Sequence, residues 1–163
     1  MKLENKKLLL LNEAVEIRKQ LKNEGKSVVL TNGCFDLLHT GHLYFLKEAS
    51  SQGQSLWVAL NGDASVRQLK GPLRPIQDEI QRAYALAALG FIDGVFVFQS
   101  ERLTEEILTF QPDKYVKAGD YDIDSINREE RNALEAIKAE IKFLPFLEGF
   151  STTKLIQKIK KAL

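Results

Sequence analysis

The chain has 163 residues, 44% of them hydrophobic, enough to enclose a substantial core within the length of a single domain over residues 1–163. Twenty-three Lys and Arg against twenty-two Asp and Glu leave a formal charge of +1, which removes any general electrostatic case for a nucleic-acid or anionic-membrane partner. A charged ligand must then be caught locally, and one cysteine cannot staple the fold, in keeping with a reducing compartment.

In chain order, residues 3 to 24 space Leu8, Leu11, Val15, Ile17 and Leu21 among charges, which predicts an amphipathic helix stopping at Gly25. Its run of leucines is too short for a signal-peptide core or a membrane span, so a cytoplasmic chain is expected. SVVLTNG predicts a strand over 28–32 ending at Gly33, and GHLYFLKEASSQG a helix over 41–51 closed by Gly53. SLWVALN, 55–61, is a second strand, followed by a short helix with Asp63 as its expected cap. Residues 70–75 form a loop, Asp78 can cap a helix reaching about residue 89, and DGVFVFQ is a third strand. A helix over 101–110 ends before Pro112, a fourth strand covers 113–117, and NREERNALEAIKA is helical to about residue 139. EIKFLPF is a fifth strand, and a closing helix is capped by Ser151 or Thr152.

Strands alternating with helices imply right-handed βαβ units and a five-stranded parallel sheet covered on both faces, a doubly wound α/β fold over about residues 26–163. Such sheets bind ligands beyond the carboxyl ends of their strands, where the strand order reverses. The loops at 33–42, 61–63, 117–122 and 148–152 would lie there.

TNGCFDLLHTGH, residues 31–42, contains both histidines and the cysteine. It is neither of the usual phosphate loops: a Walker loop ending in GKS at 25–27 would need glycine where Gln20 stands, and no GxGxxG follows the first strand. Gly33 ends the strand where backbone can approach a ligand, and Gly41 opens the helix, so amides of that turn can face an anion. His39 and His42, spaced i, i+3 across the helix start, can point to one phosphate. Two other readings stand beside this one. The pair with Cys34 or Asp36 could ligate zinc, although no further ligand is signalled; or His39 is a helix cap and His42 a packed core residue.

GCFDLLHTGH resembles the GxFDxxHxGH signature of the HxGH nucleotidyltransferase superfamily, and FSTTKLIQKI resembles its ISTTxIIxxI segment. TNGCFD, VALNGDASV, LKGPLRPIQDEIQR, VKAGDY and STTKLIQKI are together similar to the D-glycero-β-D-manno-heptose 1-phosphate adenylyltransferases. Two positions depart from that pattern: Lys117-Ala118-Gly119-Asp120 where two glycines usually precede the aspartate, and Phe150 where a smaller residue precedes STT.

The resemblance implies a Rossmann-like HxGH nucleotidyltransferase fold. It also implies transfer of AMP from ATP to a sugar 1-phosphate by in-line attack on the α-phosphorus, with Mg²⁺ accompanying the ATP. His39, His42 and Lys70 would be catalytic. Asn32, Gly33, Cys34, Phe35, Gly41, Lys117, Gly119, Asp120, Ser151, Thr152 and Thr153 would line the nucleotide site. Cys34 is there a packing residue rather than a nucleophile. Arg74 and Arg82 would meet substrate phosphate. Asp36 would bind substrate or Mg²⁺, hold the loop, or form an Asx-type turn, and Asp63 and Asp120 would take sugar or ribose hydroxyls or serve as cap and turn residues. No dedicated metal cage is expected. Relatives imply a homo-oligomer, dimer or larger, for which the leucine-rich first helix offers an apolar face. A cytidylyltransferase acting on glycerol 3-phosphate would use the same histidines and STT helix, and a catalytically silent nucleotide-binding module would retain the fold.

Overall fold

The protein is described by a computed structural model, covering residues 4–119, 123, 126–145, 147 and 149–162. Its elements run α1 Leu11–Asn23, β1 Val28–Gly33, α2 Thr40–Ser50, β2 Ser55–Asn61, α3 Asp63–Lys70, α4 Glu79–Ala87, β3 Gly94–Phe98, α5 Thr104–Phe110, β4 Lys114–Ala118, α6 Arg128–Ala136, β5 Glu140–Leu144 and α7 Thr152–Ala162. The strands form one sheet in the order β3-β2-β1-β4-β5, with every pairing parallel.

Apolar residues occupy both faces of each inner strand, so strand alternation divides the core into two layers. Val29, Leu56, Val58, Leu60, Val95 and Val116 meet Phe45, Leu46 and Ala49 of α2 and Ala83, Leu86 and Ala87 of α4. Val28, Leu30, Trp57, Ala59, Phe96 and Tyr115 meet Ala14 of α1, Ile107 and Phe110 of α5, and Ala133 and Leu134 of α6.

Three local departures from the sequence expectations have physical causes. The first helix begins at Leu11, because the preceding segment extends along the edge strand: Val95 N donates to Lys7 O at 2.8 Å and Leu9 N to Val95 O at 3.0 Å. That pairing gives the β3 edge a backbone partner, and Glu13 Oε2 accepts from Leu10 N at 2.7 Å to end the extended run. Asp63 does not cap α3; Gly62 holds the cap position and Asp63 is the first helical residue. The helix expected from residue 101 starts at Thr104, because Leu103 N is held by Glu130 Oε1 of α6 at 2.9 Å. Asp78 caps α4 as expected, accepting from Gln81 N at 2.8 Å.

Candidate active site

β1 and β4 share two register positions, Val29 with Lys114 and Leu30 with Tyr115, after which both strands continue without pairing. This is the position in the sheet where the chain changes direction, from β1, β2 and β3 on one side to β4 and β5 on the other. A crevice opens there. Asn32 spans it: its Oδ1 accepts from Tyr115 Oη and from Lys117 Nζ, both at 2.8 Å. With that oxygen doubly filled, the amide nitrogen remains the donor available to a ligand. Burial pulls the Lys117 pKa down, while the Glu130 charge opposes the shift.

Above this floor lies a cleft of about 830 Å³, whose lining includes Gly33, Cys34, Phe35, Asp36, His42, Lys70, Arg74, Lys117, Gly119, Thr152 and Thr153. Gly33 is required for space, since a Cβ there would lie 2.9 Å from Phe35 Cε2. Phe35 itself adopts φ 42, a left-handed conformation rare for an aromatic residue, and its ring meets His42 edge-on with centroids 5.2 Å apart. The strained residue thus fixes one side of the His42 imidazole.

His39 caps α2 through Nδ1, which accepts from His42 N at a long 3.4 Å, and the two rings stack with centroids 3.8 Å apart. Burial lowers the pKa of His39. Burial, and then the charge of His39, bring His42 down to about 4, with the Leu37 carbonyl opposing. Both rings are therefore neutral at pH 7. His42 Nδ1 is buried without a hydrogen bond in normal geometry. The cap and packing reading of this pair is correct as local structure, and it coexists with a ring facing the cleft. Zinc finds no support: among the described residues no three His, Cys, Asp or Glu side chains gather where they could hold a metal.

The second motif meets the first. Ser151 caps α7, its Oγ accepting from Lys154 N at 3.1 Å, while Thr152 and Thr153 line the cleft. Phe150 lies against Gly41, where a Cβ on the glycine would be 3.0 Å from Phe150 Cβ. The substituted position before STT therefore packs on the start of α2 and ties the two helix N-termini together. Gly119 has φ 113 and its amide donates to Leu144 O at 3.0 Å. Ala118 needs no glycine, being the last residue of β4. Asp120 lies outside the described residues.

Three expected substrate ligands are hydrogen-bonded within the protein. Asp36 is 2% exposed; Oδ1 accepts from Ile76 N at 2.7 Å and Gln77 N at 3.1 Å, and Oδ2 accepts from Arg74 Nε. It holds the 74–77 segment against the first loop, leaving little capacity for Mg²⁺ or sugar. Arg82 is 0% exposed and gives Nε to Gln77 O at 3.0 Å, Nη1 to Cys34 O at 2.6 Å and Asn61 O at 2.8 Å, and Nη2 to Asp63 Oδ1 at 2.7 Å. Four of its five donors join the ends of β1 and β2 to α3 and α4, so the structure shows Arg82 as a junction residue where a phosphate ligand was expected. Asp63 is its partner in that junction through Oδ1. Arg74 and Lys70 line the cleft, as does Asp36. The Cys34 thiol is pushed up by burial, in keeping with a packing residue.

Glu101, Arg102, Ile126, Asn127 and Glu130 also line the cleft, and the sequence carries no plain sign of it. NREE reads there as an ordinary helix start, and Asn127 Oδ1 does accept from Glu129 N at 2.9 Å and Glu130 N at 3.3 Å. The missed signal is that a capping-box Glu would return to the cap amide, whereas Glu130 turns inward to Leu103.

Residues 30–158 match the family model described as cytidylyltransferase-like. The chain is 47% identical to the bifunctional protein HldE of Sulfurimonas denitrificans over 91% of its own length and 30% of that protein, and 45% identical to HldE of Geobacter sulfurreducens over 86% and 28%. It thus spans about a third of the length of these curated relatives. The crystal structure of a lipopolysaccharide core biosynthesis protein from Thermoplasma volcanium superposes with a TM-score of 0.61 at 24% identity, covering 76% of this chain and 98% of that one, which shows a shared fold.

Proposed function

The chain belongs to the cytidylyltransferase-like family and is a nucleotidyltransferase; from that premise we propose that it transfers AMP from ATP to D-glycero-β-D-manno-heptose 1-phosphate. The products are ADP-heptose and pyrophosphate. The observation that carries the reaction type is the convergence of two helix N-termini, those of α2 and α7, with His42, Thr152 and Thr153 on one cleft. The acceptor assignment rests on the similarity to the HldE proteins and on the segments shared with heptose 1-phosphate adenylyltransferases.

In the reaction an acceptor phosphate oxygen attacks the α-phosphorus, the bond from that phosphorus to its β-bridging oxygen breaks, and pyrophosphate leaves with the electron pair. The acceptor oxygen is already ionised at neutral pH, so no general base is needed. His42 would hydrogen-bond the phosphate oxygens as charge develops, with the His39 ring stacked on it at the start of α2, while helix-end amides and the two threonine hydroxyls hold the leaving pyrophosphate. Lys70 and Arg74 would neutralise the incoming phosphate, and Asn32 Nδ2 would orient the nucleotide. Mg²⁺ is proposed to travel with the ATP phosphates and to offset their charge, while both oxygens of Asp36 and Oδ1 of Asp63 are already hydrogen-bonded within the protein. A homo-oligomer in the cytoplasm belongs to the same proposal.

Pyrophosphate release, assayed with each of four nucleoside triphosphates against heptose 1-phosphate and glycerol 3-phosphate, tests the reading. Turnover of ATP with heptose 1-phosphate at least tenfold above the other pairs is expected. Turnover confined to CTP with glycerol 3-phosphate would replace it.

A further inference from the structure

Leu73 is 87% exposed, more than any other large apolar side chain among the described residues, and it belongs to a group. Ile76 is 55% exposed, Ile80 60% and Tyr84 36%, the last two lying four residues apart on α4. The charged side chains between Leu73 and Tyr84 are all engaged within the protein. Arg74 and Arg82 donate to Asp36 and Asp63, while Asp78 accepts from Gln81 N and Glu79 from Asp63 N. The stretch therefore presents an apolar surface to solvent, with the uncharged Gln77 and Gln81 beside it.

Such a surface lacks the cations that a nucleic acid or an anionic bilayer requires. A two-fold axis sets a surface against its own copy, where a patch of one charge sign repels itself and an uncharged one does not. The four side chains expose on the order of 400 Å² of apolar surface per copy, and at the usual apolar share of an interface two copies would bury about 1,400 Å² in all, the size of a specific complex. Building on the homo-oligomer and the cationic loop of the proposed function, we propose that a second copy of this chain covers Leu73, Ile76, Ile80 and Tyr84 across a two-fold axis, and that this contact orders the segment bearing Arg74. Lys70 and Arg74 line the cleft, Asp36 holds the amides of Ile76 and Gln77, and Leu73 and Ile76 expose apolar side chains from the same segment. Gly71, at φ 95, joins that segment to α3, and burying Leu73 and Ile76 on a partner restricts its backbone beyond what Asp36 alone imposes.

Sedimentation velocity and hydrogen exchange test the two parts. Wild type is expected at twice the 18.5 kDa chain mass. Ile80→Glu, and independently Leu73→Glu, sets a charge against its own copy and should raise the dissociation constant about a hundredfold or more. Leu108→Glu, on an exposed site of α5 in the opposite layer, should remain paired. Exchange at the Ile76 and Gln77 amides should quicken about tenfold or more when wild type is diluted below its dissociation constant, and to the same rate in Ile80→Glu before dilution. Wild type that stays monomeric, or pairing that survives both charge variants, overturns the surface. A monomer that floats with phosphatidylcholine vesicles would give the patch to lipid instead. Exchange that ignores dilution overturns the tie to the cleft. Neither measurement needs turnover, so a failed pyrophosphate assay would remove the sugar-phosphate reading while this surface is still decided by mass and exchange.

Discussion

His42 is a neutral ring in the free protein at pH 7, and its titration can be followed in two ways. Its folded pKa of about 4 lies below the ordinary histidine value of 6.5. Between those values the unfolded chain holds the proton and the folded chain does not, so stability from this residue is complete above pH 6.5 and is lost as pH falls towards 4. A loss on the order of 3 kcal/mol over that window is expected in urea unfolding of wild type, and His42→Gln should lack this share. A bound triphosphate raises the same pKa, so its affinity should grow as pH falls from 8 towards 5, more steeply in wild type than in His42→Gln. Parallel curves by calorimetry would remove His42 from the phosphate site. Arg82 makes the contrasting case. Replacing it by Met leaves the carbonyls of Cys34, Asn61 and Gln77 unpaired, and a stability loss of about 3 kcal/mol is expected by denaturant unfolding. Unchanged stability with a raised acceptor KM would restore Arg82 to a phosphate-binding role. Its sequence position could not reveal this, because RPIQDEIQR specifies a cationic side chain and not whether the strand ends fold over it.

Among the elements, the two loops joined by Asp36 behave as one unit. Asp36→Asn should release the 74–77 segment from the first loop and lower kcat/KM at least tenfold, with Arg74 no longer held beside the cleft; steady-state kinetics checks this against an unfolding curve. Gly119→Ala places a side chain at φ 113 and is expected to cost about 1–3 kcal/mol in denaturant unfolding, whereas Ala118→Gly should retain the fold. Most elements were legible because their signals are local: β-branched runs for the strands, Asp78 for the α4 cap, and Gly25 at φ 70 for the end of α1. The failures arose where a distant partner decides. The residues before Leu11 carry helical spacing but find the free edge of β3, and residues 101–103 stay out of α5 because Glu130 claims the Leu103 amide.

At the scale of the molecule, the parallel sheet and its switch point follow from the alternation of strands and helices, and the HTGH and STT segments converge because both open helices beside that point. The part of the lining formed by Arg102, Asn127 and Glu130 was not legible, since these are ordinary polar side chains until α6 packs on α5. The apolar surface also lies elsewhere than expected. Leu11, Val15, Ile17 and Leu21 of α1 pack against the protein's own core, while Leu73, Ile76 and Ile80 are exposed around the start of α4. The proposed homo-oligomer should appear in sedimentation equilibrium as an integral multiple of the 18.5 kDa chain mass, and a lone monomer at micromolar concentration would contradict it. No helix among the described residues is long and apolar enough to cross a membrane.

In-line transfer of AMP to a sugar 1-phosphate can be followed with isotope from ATP. With phosphorus label at the α position and heptose 1-phosphate as acceptor, label should appear in ADP-heptose, and with label at the γ position it should appear in pyrophosphate. Label that stays in ATP under both conditions, or that is transferred only from CTP, would contradict the account.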